Sequence, residues 1–251
     1  MIPAVIPVIK QLAELLDKLL NVFHDAGLSW GTSIIALTVL TRALLVPLTF
    51  KSLKGMRAMQ ALQPQMKELQ EKYKNDRQRL QQEMMNFYRE NKVNPAAACI
   101  PLIAQAPVFI ALYSVLRSDL RVDICGQSAE PCGEVASWFF IPDLTAKATG
   151  SALVILLVLF ISTQLISMAM MSFSADKSQR MLAFVLPAAL VPLAFTLPAG
   201  LLLYWVTTNI WTIGQQYVVK KVVPAPTIST PEEKAAAKPP PPPPRKRKKR
   251  R

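Results

Sequence analysis

No aspartate or glutamate interrupts any long apolar stretch of this 251-residue sequence. That absence disfavours the usual intramembrane proton or sodium relay, which is built on buried carboxylates. It disfavours aspartyl membrane proteases as well. Histidine occurs once, at His24, in an amphipathic segment where it reads as a surface residue. No His/Glu metalloprotease pair, Walker loop or GxSxG elbow is present. The sequence therefore points to no catalytic residue, no metal, no cofactor and no enzyme. A secretory signal with a small-residue cleavage site is also missing, so the apolar blocks are expected to be permanent.

What the sequence does have is apolar bulk and a basic end. Hydrophobic residues make up 51% and charged residues 18%, with mean hydropathy +0.27. Such a balance is too apolar for an ordinary soluble domain. The formal charge of +13 is uneven: from Lys220 onward there are 11 basic and 2 acidic residues, leaving +4 for the rest. A basic tail on an apolar body suits an anionic partner, either lipid headgroups or RNA.

Residues 1–30 are amphipathic. Leu12, Leu15, Leu16, Leu19, Val22 and Phe23 follow helical spacing, with Lys10, Glu14, Asp17, Lys18 and Asp25 opposite. Such a helix lies in a membrane interface or packs on a protein surface, and periodicity alone does not choose. Spans are expected at 31–51, 95–117 and 151–172. The uncharged run 181–219 is 39 residues long, nearly twice the roughly 20 needed to cross a bilayer. "TLPAG", Thr196 to Gly200, splits it into a fourth and a fifth span. The remaining segments are a hairpin at 52–94, a loop at 118–150, a short loop at 173–180 and a tail at 220–251.

Charge then orients the spans. Lys51 to Lys92 holds 10 Lys/Arg, whereas Arg117 to Gly150 holds three, beside five acidic residues. By the positive-inside rule the hairpin, the 173–180 loop and the tail are cytoplasmic and the N-terminus is outside. In the hairpin, Met59, Leu62, Met66, Leu69 and Tyr73, then Leu80, Met84, Phe87 and Asn91, recur at three- and four-residue steps around an Asn75–Asp76 turn. Two helices with one narrow seam follow, only marginally stable alone, and Pro64 should interrupt the first. The tail is a Pro-rich spacer ending in "RKRKKRR", Arg245, Lys246, Arg247, Lys248, Lys249, Arg250 and Arg251.

The singular residue is Arg42, near the middle of the first span in "ALTVLTRALLVPLTF". A cation there costs about 2.5–3.5 kcal/mol on insertion scales. It lies too far from either end to snorkel easily, and no span offers an acidic partner. Water, carbonyls and neutral amides are left to solvate it. Two readings stay open: a wet, protein-lined cavity around an unpaired charge, or a structural arginine tied to carbonyls. Uncharged polar residues recur in the spans: Thr38, Gln105, Ser162, Thr163, Gln164, Ser167, Thr207, Thr208, Asn209, Thr212, Gln215 and Gln216. For most of them an interhelical hydrogen bond is the plainer role.

"TRALLVPLTFKS", the stretch from "MQALQPQMKELQEKY" through "NPAAACIPLIAQAPVFIALYSVL", and "PAGLLLYWVTTNIWTIGQQ" come in an order and spacing that is specific. From about Trp30 to Val219 the sequence resembles the YidC family of membrane protein insertases, relatives of the mitochondrial Oxa and chloroplast Albino proteins. Its wording is most similar to actinobacterial members. The resemblance implies an all-α membrane protein: five transmembrane helices around a hydrophilic groove, plus the cytoplasmic helical hairpin. It implies a groove that is closed outward and open to cytoplasm and lipid. Groove positions of the family fall on Arg42, Thr38, Gln105 and Gln164, with Trp205 as the matching aromatic. Implied partners are nascent membrane proteins of one or two spans, the ribosome and the Sec translocon. Implied activity is insertion and chaperoning in the bacterial cell membrane. The basic tip, Arg245 to Arg251, would contact ribosomal RNA or anionic lipid.

The large periplasmic domain of Gram-negative members and the lipobox of many Gram-positive ones are not seen. Cys125 and Cys132, in the outside loop, are either a local disulfide or two free thiols. Cys99 reads as an apolar filler. A small-solute channel is the rival reading; the missing inverted repeat and the hairpin, which a pore does not need, disfavour it.

Overall fold

A computed structural model of the protein describes residues 2–94, 100–126, 133–172, 185, 191, 192 and 194–222. The described part is helical. In chain order it contains α1 (Ile2–Asp25), α2 (Trp30–Leu44), α3 (Val46–Ala61), α4 (Gln63–Lys72) and α5 (Arg77–Glu90). Then come α6 (Ile100–Arg117), α7 (Asp119–Cys125), a 3-10 turn at Gly133–Ala136, α8 (Gly150–Ser172) and α9 (Ala199–Val222). Most of the expected fourth span, the 173–180 loop and the tail beyond Val222, with all seven residues of the basic tip, lie outside the described residues.

Helix α9 is the spine. It packs on α8, α2, α3 and α6, while α1 lies against α6 and α2. Along α1, Ala13, Leu16 and Leu20 are buried. That stripe packs on the protein, while Val8, Leu15 and Val22 stay exposed. Helix α1 stops through a left-handed glycine. Gly27 has φ +96°, its N–H donates to His24 O (2.8 Å) and Leu28 N–H donates to Phe23 O (3.2 Å). That pair of bonds satisfies the last carbonyls and turns the chain into α2. His24 is no simple surface residue: its ring stacks on Trp30 at 3.9 Å, and its Nδ1 lies 2.8 Å from Leu28 O.

The 31–51 segment is not one straight span. Helix α2 ends at Leu44, and α3 departs at 62°. Pro47, in the first turn of α3, is the physical cause. Its nitrogen has no proton for the Ala43 carbonyl, and its ring would clash with that oxygen in an unbroken helix. Pro64 acts likewise, sitting in the first turn of α4 after a break at Leu62. The hairpin is formed by α4 and α5, with Asp76 capping α5 by accepting from Arg79 N–H at 3.0 Å. Its seam is thin: Leu62 and Met66 are buried, but nothing on α5 is.

Among the described residues, one helix, α8 over Gly150–Met170, is long and apolar enough by itself to cross a membrane. The bent pair α2–α3 makes a second if it is one broken span. Helix α8 buries one stripe, Ala152, Leu156 and Phe160, against the bundle and exposes Val154, Val158, Leu165 and Ile166. Apolar residues on both faces suit a helix whose outer side meets lipid.

The interior is divided along its length. Ile34, Leu37, Leu112, Leu116, Ile141, Leu144, Leu201 and Leu202 form a dry core. They lie where α2, α8 and α9 begin and α6 ends, which we term the loop end. The 137–149 segment closes that end: Ala199 N–H donates to Ala146 O and Gly200 N–H to Leu144 O, both at 2.8 Å. Gly200 is required there, because a Cβ would stand 2.9 Å from the Leu144 carbonyl oxygen. Replacing Gly200 by Val is expected to push this carbonyl away and lower the thermal midpoint in detergent. Gly214→Ala, which faces open space, should instead be neutral or stabilise by roughly 0.5–1 kcal/mol.

Candidate functional site

Toward the opposite, hairpin end the interior turns polar, and the spacing on α9 explains how. Tyr204, Thr208, Trp211 and Gln215 recur at four-, three- and four-residue steps, one face of a helix. Trp205, Asn209, Thr212 and Gln216 repeat the pattern one position on. The first stripe meets α6 and α3: Gln105 Nε2 donates to the Tyr204 hydroxyl, and Gln215 Nε2 to Thr49 Oγ1. The second meets α8: Asn209 Nδ2 donates to Thr163 Oγ1 at 3.3 Å and Gln216 Nε2 to Ser167 Oγ at 3.4 Å. Interhelical bonds of this kind fix the rotation of α9 against its neighbours.

Arg42 sits at the edge of this region, half-buried in the last turn of α2. The break at Leu45 changes its setting from mid-span to helix terminus. There the macrodipole favours a cation, typically by ~0.3–1 kcal/mol. Its Nε is buried without a hydrogen-bond partner among the described residues. Tyr204 is within electrostatic reach. Other buried polar atoms are also unpartnered: Gln105 Oε1, Thr208 Oγ1, Trp211 Nε1 and Gln216 Oε1. Buried polar atoms are rarely left unpaired, and four of these five come from Arg42, Gln105 and the first stripe of α9. That concentration marks a place suited to water or to polar chain.

The structure sorts the expected site residues into two groups. Arg42 and Gln105 come together around Tyr204. Thr38, one turn before Arg42, is fully buried, and its hydroxyl donates to Ile34 O at 2.7 Å. Its proton is thus spent within α2. Gln164 is half-buried on α8, next to the Thr163 that accepts from Asn209. Trp205 does not stand free: its ring packs between Phe109 at 5.2 Å and Phe160 at 5.1 Å, tying α6 to α8 across α9. Cys125 is disulfide-bonded, while Cys132 lies outside the described residues.

Sequence reading passed over three contributors. Tyr204 is the hub of the first group, and its four-three-four spacing with Thr208, Trp211 and Gln215 was the available signal. Thr49 is buried and holds Gln215. Arg57, counted only as a hairpin charge, donates from Nη1 to Val219 O at 2.9 Å and so caps the end of α9.

Apolar side chains on the outside of a helical bundle, with amides, hydroxyls and the Arg42 guanidinium toward its inside, suit a membrane protein with a polar interior. The comparisons give it a family. The family model of the 60Kd inner membrane protein matches residues 22–226. Membrane protein insertase YidC of Streptomyces avermitilis is 36% identical over 230 residues, covering 80% of this chain and 54% of that protein. YidC of Cupriavidus taiwanensis is 38% identical over 215 residues, covering 84% and 36%. The crystal structure of an active YidC insertase with its first transmembrane domain resolved matches with TM-score 0.63 and 28% identity, over 84% of this chain and 46% of that one. The chain belongs to the 60Kd inner membrane protein family, that of the YidC insertases. It spans about half or less of the length of these relatives.

The aromatic stack yields a direct check. Phe160→Ala should cost about 3–5 kcal/mol and free the Trp205 ring. A lowered unfolding midpoint together with red-shifted tryptophan emission is expected. Unchanged emission would mean that Trp205 is held otherwise.

Proposed function

We propose that this chain is a membrane protein insertase, and that its polar interior is a hydrophilic groove open toward the hairpin end, which faces the cytoplasm. The observation that carries this is the lengthwise division of the bundle: dry and bonded shut at the loop end, polar and incompletely paired at the hairpin end. A pore would need the opposite, a polar path running through.

The steps follow from that asymmetry. The basic hairpin, marginal in its own packing, receives a nascent apolar segment. The polar end of that segment enters the groove, where Arg42 attracts acidic groups and Gln105, Thr208 and Gln215 offer hydrogen bonds. Each polar group that finds a partner there avoids the several kcal/mol that dry hydrocarbon would impose. The apolar helix then leaves along α8 and α9 into lipid, driven by apolar transfer. Substrates are small membrane proteins with short outside ends. Chaperoning and work beside the Sec translocon belong to the same proposal. So do a five-span topology with the N-terminus outside, the bacterial cell membrane as location, and groove roles for Thr38, Gln164 and Trp205. No bond is made or broken, so the activity is not enzymatic. The tip at 245–251 is proposed to bind the ribosome or anionic lipid. Salt-sensitive ribosome co-sedimentation that is lost when 245–251 is removed would decide for RNA.

Arg42→Ala is expected to reduce insertion of an acidic-ended substrate about tenfold, the loss of one charge-assisted contact of ~1.4 kcal/mol or more. A neutral-ended substrate should be affected less. Arg42→Lys should restore most activity if charge alone matters. Equal insertion of both substrates by Arg42→Ala would remove charge attraction from the mechanism.

A further inference from the structure

The closure at the loop end ends in a turn of unusual composition. Trp138 and Ile141 form an isolated antiparallel bridge, with Trp138 N–H donating to Ile141 O and Ile141 N–H to Trp138 O, both at 2.8 Å. Two residues, Phe139 and Phe140, make the tip. Two-residue turns of this kind favour glycine or asparagine at positive φ. Here Phe139 takes the left-handed conformation, with φ +49°, and is 89% exposed. A bulky residue in that region is a true outlier whose strain is unrelieved by burial. Its one ring contact is edge-on to Trp138 at 4.7 Å.

The surroundings of the tip say what it meets. Trp138 packs over Gly31, where a Cβ would come within 2.2 Å of the indole, and its Nε1 donates to Thr32 Oγ1 at 3.3 Å. The turn is therefore pinned to the first residues of α2. The bonds from Ala199 and Gly200, and the Lys147–Pro198 bridge, pin the same segment to the start of α9. Gly150 then begins α8 and its membrane-crossing window. The tip is thus held at the level where α2, α8 and α9 begin. It carries no exposed charge: Asp143, the one ionisable residue from Val135 to Ala146, is buried and accepts from Thr145 N–H and Oγ1 (2.8 Å each) and Ala146 N–H (3.1 Å). Val135 and Phe140 add exposed apolar surface beside Phe139.

We infer that the Phe139–Phe140 turn is a membrane anchor, inserted into the headgroup–acyl boundary of the outer leaflet. Aromatic side chains at that depth bury their rings while the polar backbone stays near water. The anchor holds the closed end of the bundle against the bilayer, so the groove opens only on the other side. The assignment of a leaflet rests on the topology proposed above; the anchor itself does not.

The test uses the full chain in proteoliposomes. Phe139→Trp adds one fluorophore, read as the difference from the parent protein. Its emission should be quenched several-fold more strongly by phosphatidylcholine brominated high on the acyl chain than by aqueous iodide. Strong iodide quenching with little bromolipid quenching would overturn the anchor, and quenching by neither would place the tip against protein and overturn it as well. Phe139→Gly gives the left-handed position its preferred residue and should keep or raise the unfolding midpoint. A marked fall would show that Phe139 holds the fold together and not the membrane. Tryptic loss of the basic tail in intact spheroplasts would reverse the leaflet and leave the anchor standing.

Discussion

Arg42 carries a charge that the apolar bundle cannot neutralise, and much of the arrangement follows from where that charge is tolerated. Helix α2 is broken at Leu45, so the guanidinium falls in the last turn of a helix. The negative end of the helix dipole offsets part of its cost. The Arg42 Nε is left without a hydrogen-bond partner among the described residues, and Tyr204 lies within electrostatic reach. Pro47 therefore acts on Arg42 at a distance of five residues: by ending α2 it sets the depth at which the charge sits.

The second stripe of α9 makes this arrangement rigid. Asn209 and Gln216 reach α8, Trp205 is clasped by Phe109 and Phe160, and Gln215 and Arg57 link α9 to α3 at the far end. Helix α9 can hardly rotate without breaking several of these contacts. Its first stripe consequently stays turned toward α6 and α3. At the loop end, backbone bonds from Ala199 and Gly200 and the packed leucines exclude water. One helix thus serves both the dry seal and the polar interior, residue by residue along its length.

Much of this was legible in the sequence, and the limits have physical causes. Apolar blocks, the hairpin turn before Asp76 and the interruption at Pro64 follow from local rules. Periodicity names a face but not its partner, so α1 read equally well as an interfacial or a packed helix. Proline announces a break without its angle, so the sequence alone does not show that Arg42 falls in the last turn of a helix. Tyr204 was hidden because one tyrosine in an apolar run looks like packing until its neighbours on other helices are known. Trp205 was read by resemblance as a groove aromatic; its rings of contact, Phe109 and Phe160, are distant in sequence and invisible there. The family was legible because it rests on three long blocks in order, which survive uncertainty about any one residue.

In the proposed mechanism substrate meets the polar half of the interior and not the dry half. This is tested most directly by a photoactivatable side chain at Gln105 or Gln215 on the polar side, and at Leu112 or Leu201 on the dry side, with a ribosome stalled on a nascent single-span protein. Crosslinks from the first pair to the polar end of the nascent chain, and none from the second, are expected. Equal crosslinking from both pairs, or crosslinks from Leu112 and Leu201 alone, would contradict a groove closed at the loop end.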